Sequence, residues 1–158
     1  MANIGKLFAL GLTASAAIAA GAIIAPHEGK ELTVYVDPVG VLTSCYGHTG
    51  AELTLGQTFT EAECFEQLAV DVAKFDKAVR DMTAGTGISD QELAAYISLS
   101  YNVGLGNFRT STLRRKLHAG DRVGACNELS RWVYAGGKKL NGLVTRREAE
   151  RKLCLSGI

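Results

Sequence analysis

From Leu7 to Ala25 the chain runs nineteen residues without a charged side chain. That length sits at the lower limit for a helix that crosses a bilayer. Eight of the nineteen are Ala, two are Gly, and Thr13 and Ser15 carry hydroxyls. Only Leu7, Phe8, Leu10, Leu12, Ile18, Ile23 and Ile24 are strongly apolar. On an insertion scale those side chains favour the membrane by roughly 2–4 kcal/mol in sum, and Gly, Ser and Thr oppose it. Insertion is therefore marginal. Three readings compete. One is a cleaved signal peptide with Lys6 as its basic start. Another is an uncleaved anchor that later leaves the membrane, and the third is a buried helix of a soluble protein. The weak hydrophobicity favours the second. Lys6 ahead of the stretch and Glu28 and Glu31 behind it set the N-terminus in the cytoplasm.

The rest of the chain is ordinary by contrast. Lys plus Arg number 17 and Asp plus Glu 16, all but Lys6 beyond residue 25, for a formal net charge of +1. That balance argues against a nucleic-acid partner held by bulk charge. A hydrophobic share of 47% excludes general disorder. The four cysteines, Cys45, Cys64, Cys126 and Cys154, lie outside the apolar stretch and allow three pairings. Their spacing does not fit a zinc site built from short paired intervals. In an exported chain disulfides are the expected use.

Local signals divide residues 26–158. Pro26 is expected to end the first helix. Residues 31–47 read as a hairpin whose tip, Asp37-Pro38-Val39-Gly40, suits a type I turn. A glycine-containing loop follows, Gly47 to Gly56. Thr60-x-x-Glu63 is a capping box. Behind it Phe65, Leu68, Val72, Phe75, Val79 and Met82 alternate at spacings of three and four, which predicts a long amphipathic helix. Ser89-x-x-Glu92 opens another helix, which Gly104 and Gly106 end. A short helix is expected over Ser111–Leu117. Asp121 caps one running through Trp132, Gly136-Gly137 interrupts, and Thr145-x-x-Glu148 opens the last. The fold class is α+β and mainly α: a small hairpin lobe, a long connecting helix and a helical lobe, with a cleft between the lobes as the place for a substrate.

Near that cleft stand Glu28, Asp37 nine residues on, and Thr43 six further. Glycoside hydrolysis needs an acid for the leaving oxygen and a carboxylate that activates water or attacks carbon. As bare spacing the pattern is weak, because a solvated Glu, a turn Asp and a strand Thr explain it equally well. Pairing Val36 with Val41 even sends Asp37 and Thr43 to opposite faces. The neighbouring residues decide more. Glu28-Gly29, Tyr35-x-Asp37, Gly40, Thr43 and Gly47-His48 form one block. Tyr101-Asn102-Val103-Gly104, Gly106-Asn107-Phe108 and Ser111-Thr112-Leu113 form a second. Arg131-Trp132, Gly142-Leu143 and Arg146-Arg147-x-x-Glu150 form a third. In order, over about residues 28–154, the set resembles the phage-type lysozymes. With the Ala-rich start, the whole chain resembles a signal-anchor-release endolysin of that family.

The resemblance implies a two-lobed lysozyme fold with residues 1–26 as the anchor-release segment and residues 27–158 as the catalytic domain. It implies hydrolysis of the β-1,4 bond between N-acetylmuramic acid and N-acetylglucosamine in peptidoglycan, without metal or cofactor. Glu28 is then the general acid, Asp37 the carboxylate that activates water, and Thr43 the residue that places it. An inverting member of the family favours water activation over a covalent intermediate. Glu28 follows an apolar segment, which predicts partial desolvation. Glu31 is the rival acid but lacks the following glycine. Tyr101 and Asn102 are candidates for the substrate cleft, and equally for packing and capping. His48 is expected to pair with Asp71 on the long helix, Arg146 and Arg147 to hold Glu28, steer the glycan or be solvated, and Trp132 to pack in the core. The expected bridges are Cys45–Cys64 and Cys126–Cys154, each within one lobe. The enzyme is expected as a monomer, first at the host inner membrane through residues 7–25, then in the periplasm. A lytic transglycosylase, a non-catalytic wall-binding module and a pore former are the alternatives.

Overall fold

The computed structural model describes residues 4–158, so the first three residues of the expected anchor-release segment lie outside the description. The apolar stretch is broken into pieces. Helix α1 covers Ile4–Ala9 and α2 covers Ala14–Ile18; a π-helical turn, Ala19–Ile24, runs into the short α3, Ala25–His27. Pro26 does not stop this run. The Ala25 amide bonds to the carbonyl of Ala20, five residues back. That wider turn makes room for a proline ring, which in a regular α-helix meets the carbonyl four residues back. The chain turns extended only at Glu28.

Strands β1 (Glu31–Val36), β2 (Leu42–Cys45) and β3 (His48–Thr49) form an antiparallel sheet in that order. Its register corrects the sequence expectation. Tyr35 pairs with Thr43 and Val36 with Leu42, after an irregularity between Glu31 and Tyr35. The turn closes with the Asp37 amide donating to the Val41 carbonyl at 2.9 Å. Shifting the pairing by one residue moves side chains to the other face. Asp37 and Thr43 therefore share a face of the hairpin.

Helix α4 (Glu61–Met82) and helix α5 (Asp90–Val103) begin at the two expected capping boxes, Thr60 with Glu63 and Ser89 with Glu92. Helix α5 is the hub. Every residue from Glu92 to Ser100 is buried, as befits a helix packed on all sides. Around it stand α6 (Leu105–Thr110), α7 (Thr112–His118), α8 (Arg122–Glu128) and α9 (Asn141–Leu155). Disulfides Cys45–Cys64 and Cys126–Cys154 tie β2 to α4 and α8 to α9. Leu7, Ala16, Ala17, Ala19, Ala20 and Ile24 belong to the same core as Ala94, Ala95, Ile97 and Leu99. Small side chains on both partners let α2 and the π-helical turn lie close against α5.

Three local expectations fail. Gly106 sits inside α6 rather than ending α5, which Gly104 does alone. The helix expected through Trp132 stops at Glu128, followed by one 3-10 turn. Beyond it Gly136-Gly137, with φ of +56° and +76°, turns a small hairpin of β4 (Tyr134–Ala135) and β5 (Lys138–Lys139); two positive φ values suit such a tight turn. Thr145-x-x-Glu148 is not a cap. Helix α9 already starts at Asn141, and the Thr145 hydroxyl donates to the Asn141 carbonyl at 3.1 Å, the back-bonding open to a hydroxyl within a helix.

Candidate active site

Glu28 occupies the short link between α3 and β1, where the two lobes meet. Its amide closes the end of the helical run on Ile24 at 2.8 Å. Its side chain is 23% exposed, the partial burial expected of it, and Oε1 accepts a 2.6 Å hydrogen bond from Nη1 of Arg146 on α9. Its other oxygen faces Gly47, where a Cβ would come within 3.6 Å. Gly47 has φ +80°, a conformation that suits glycine, so this turn brings bare backbone up to the carboxyl.

Arg146 is fixed from behind. Its Nε contacts Oε1 of the fully buried Glu150 at 3.3 Å, and Nη2 donates to the Ser98 carbonyl at 3.2 Å. The Ser98 hydroxyl donates to Glu150 at 2.6 Å. Arg147 lies beside them, its Nε 3.0 Å from Glu150 Oε2 and its Nη2 3.0 Å from Asn102 Oδ1. Arg146 and Arg147 are thus buried, not a solvated helix start. Burial pushes the Arg147 guanidinium down to about 10 against the pull of Glu150, and burial drives the Glu150 carboxyl upward despite both arginines. Glu150 and Ser98 join the site although neither is among the candidates the sequence offers. The spacing of Glu150, three and four residues beyond the two arginines, was the available signal.

On the hairpin, Asp37 Oδ1 accepts the amides of Val39 at 2.9 Å and Val41 at 2.8 Å. One carboxylate oxygen is spent on holding the turn, which fixes the direction of the other. Thr43 is 5% exposed and donates its hydroxyl hydrogen to the Val41 carbonyl at 3.1 Å. Its oxygen keeps lone pairs for a second partner.

The other candidates have internal partners. Tyr101 donates to the Tyr46 carbonyl at 2.9 Å and packs on Phe75, so α5 grips the turn that faces Glu28. Burial raises its phenol well above the ordinary range. Asn102 is engaged by Arg147, and Trp132 packs against the core. His48 meets Asp71 at 2.6 Å through Nδ1 and Glu52 at 2.7 Å through Nε2. Burial opposes charge on the ring, yet the two carboxylates outweigh it and hold its pKa above the imidazole value of 6.5. The stability from these contacts is therefore complete below about pH 6.5. It fades as pH rises through the higher folded-state pKa. Chemical denaturation between about pH 5 and pH 9 is expected to show this slope in the wild type and to lose most of it in Asp71→Asn.

Comparison with known proteins places the chain in a family. The phage lysozyme family profile matches residues 25–150. An SAR-endolysin of Enterobacteria phage P21 is 50% identical over 130 residues, 82% of this chain and 78% of its own. An SAR-endolysin of Escherichia phage Mu is 38% identical over 116 residues, 73% of this chain and 67% of its own. Among solved structures, the active form of the P1 phage endolysin Lyz superposes with a TM-score of 0.83 at 25% identity, covering 98% of this chain and 92% of that one. The secreted inactive form of Lyz reaches 0.54 at 26% identity, covering 68% and 76%. With the matching profile spanning Glu28, the hairpin and the arginine pair, the chain belongs to the phage lysozyme family.

Proposed function

We propose that this endolysin cleaves the β-1,4 bond between N-acetylmuramic acid and N-acetylglucosamine by inversion, with Glu28, Asp37 and Thr43 in the catalytic roles. Glu28 passes its proton to the glycosidic oxygen as the bond from that oxygen to the anomeric carbon breaks. A water on the far side of the sugar attacks the same carbon and gives its proton to Asp37. Thr43, whose hydroxyl hydrogen is already committed to Val41, accepts a hydrogen bond from that water and orients it. The observation that carries the reading is the placement of Asp37 and Thr43 on one hairpin face while Arg146 presents Glu28 at the junction of the lobes.

Peptidoglycan digested in oxygen-18 water and analysed by mass spectrometry and NMR tests it. The expected products carry label on the anomeric carbon of N-acetylmuramic acid and appear first as the α-anomer. Anhydro ends mean a lytic transglycosylase, and a β-anomer product means a retaining route through a covalent intermediate. Either result overturns the proposal.

Residues 7–25 serve, in the same proposal, as a signal anchor in the inner membrane with the N-terminus cytoplasmic, before release to the periplasm. The SAR-endolysin names of the relatives support this, as does the closer likeness to the active than to the secreted inactive form of Lyz. Among the described residues no helix is long and apolar enough to cross a membrane. In this proposal the docked arrangement of residues 7–25 is the one that follows release.

A further inference from the structure

We infer that Asp76 is a positioning residue for Glu28: it seats the hydroxyls of Thr13 and Ser15 and so fixes where the docked segment delivers the acid. The inference rests on the release reading above. Thr13 and Ser15 are the hydroxyl residues of an otherwise uncharged, mostly aliphatic stretch. Both reach one carboxylate on α4. Thr13 Oγ1 donates to Asp76 Oδ2 at 2.9 Å and Ser15 Oγ to Oδ1 at 3.2 Å. Arg80, one turn along, donates to Asp76 Oδ1 at 3.0 Å and to Ser15 Oγ at 2.9 Å. Asp76 is 6% exposed and Ser15 fully buried. The Thr13 hydroxyl also accepts the Ala16 amide and caps α2.

The chemistry suits a segment with two hosts. In lipid, a Ser or Thr hydroxyl can bond back to its own helix and needs no partner. Buried in protein at this spot, the same hydroxyls need acceptors, and Asp76 supplies one to each. The Ala-rich face offers many nearly equivalent ways to slide along α5, because its side chains are small and alike. The carboxylate breaks that degeneracy and sets one register. Helical structure continues from Ala14 to His27, with Glu28 next, about 20 Å along at the rise of a helix. An anchor at one end of that run sets the position of the acid at the other.

The test uses the full chain. Asp76→Ala leaves the segment's own hydrophobicity unchanged, so any effect on membrane partition reports on docking. Fractionation of expressing cells is expected to show the ratio of soluble to membrane-bound protein falling about 10- to 100-fold relative to wild type, the range for losing hydrogen bonds to a charged group. In purified soluble protein, amide exchange across residues 14–27 rises while α9 stays protected, and kcat falls more than KM rises. Asp76→Asn keeps one acceptor oxygen and falls between wild type and Asp76→Ala. The inference is overturned if Asp76→Ala matches wild type in exchange and kcat. It is also overturned if protection drops equally over residues 14–27, α4 and α9, which marks a general structural role. A wild type never found with membranes refutes the release reading alone, since the exchange and kcat measurements still decide for or against Asp76.

Discussion

Exchanging Glu28 for Gln is expected to lower wall hydrolysis by about 10²–10⁴-fold, the usual contribution of a general acid. The amide keeps an oxygen that accepts the hydrogen bond from Arg146, so the link between lobes survives. What is lost is the proton for the leaving oxygen. Turbidity clearing of permeabilised cells gives the rate, and an unchanged thermal transition shows that the fold persists. A variant that retains more than about a tenth of the activity removes Glu28 from the acid role. Asp37→Asn is expected to lose activity in the same assay through loss of the base.

The largest effect on stability is expected at Glu150. It is fully buried between two arginines, and Arg147 leaves Nε and Nη1 without a hydrogen bond in good geometry. Glu150→Gln strips the negative charge and leaves both guanidinium groups buried. Breaking a buried ion pair in this way costs about 3–5 kcal/mol, measurable as a shift of the urea midpoint. Adding Arg147→Met removes one orphaned charge, so the double variant is expected to be more stable than Glu150→Gln alone. Non-additivity of that kind is the signature of shared partners. Equal stability of wild type and Glu150→Gln contradicts a structural role for the ion cluster.

Much of the architecture was legible because it is written in local patterns. Thr60 with Glu63 and Ser89 with Glu92 mark two helix starts within four residues each. Asp37-Pro38-Val39-Gly40 marks the hairpin tip. What was not legible depends on distant contacts. The hairpin register turns on a one-residue shift, and with it whether Asp37 and Thr43 cooperate. Nothing local to Thr145 distinguishes a cap from a hydroxyl bonding back within a helix. Gly106 by itself signals a break, although Gly104 alone ends α5 and the chain re-enters a helix at once. In the sequence Arg146 and Arg147 suit a solvated helix start as well as a hold on Glu28 or a glycan contact, and only the fold stands Ser98, Glu150 and Glu28 around them. Tyr101 gave no hint that its phenol spans to the turn beside Gly47. The roles expected of Glu28 and Asp37 rest on the family's blocks rather than on spacing, which alone is too common to carry them.

The break between α1 and α2 makes the apolar stretch a ruler with two settings. Its longest unbroken helical run in the enzyme, Ala14–His27, is fourteen residues, about 21 Å, well short of the roughly 30 Å of hydrocarbon in a bilayer. A crossing would require Leu10–Thr13 to straighten into one continuous helix, which gives up the extended Thr13 cap whose hydroxyl bonds Asp76. On the proposed release, lipid and protein are thus exclusive hosts for the same residues. If the proposed release holds, a molecule still in the membrane has no seated Glu28, so membrane occupancy and wall cutting are expected to trade off molecule by molecule.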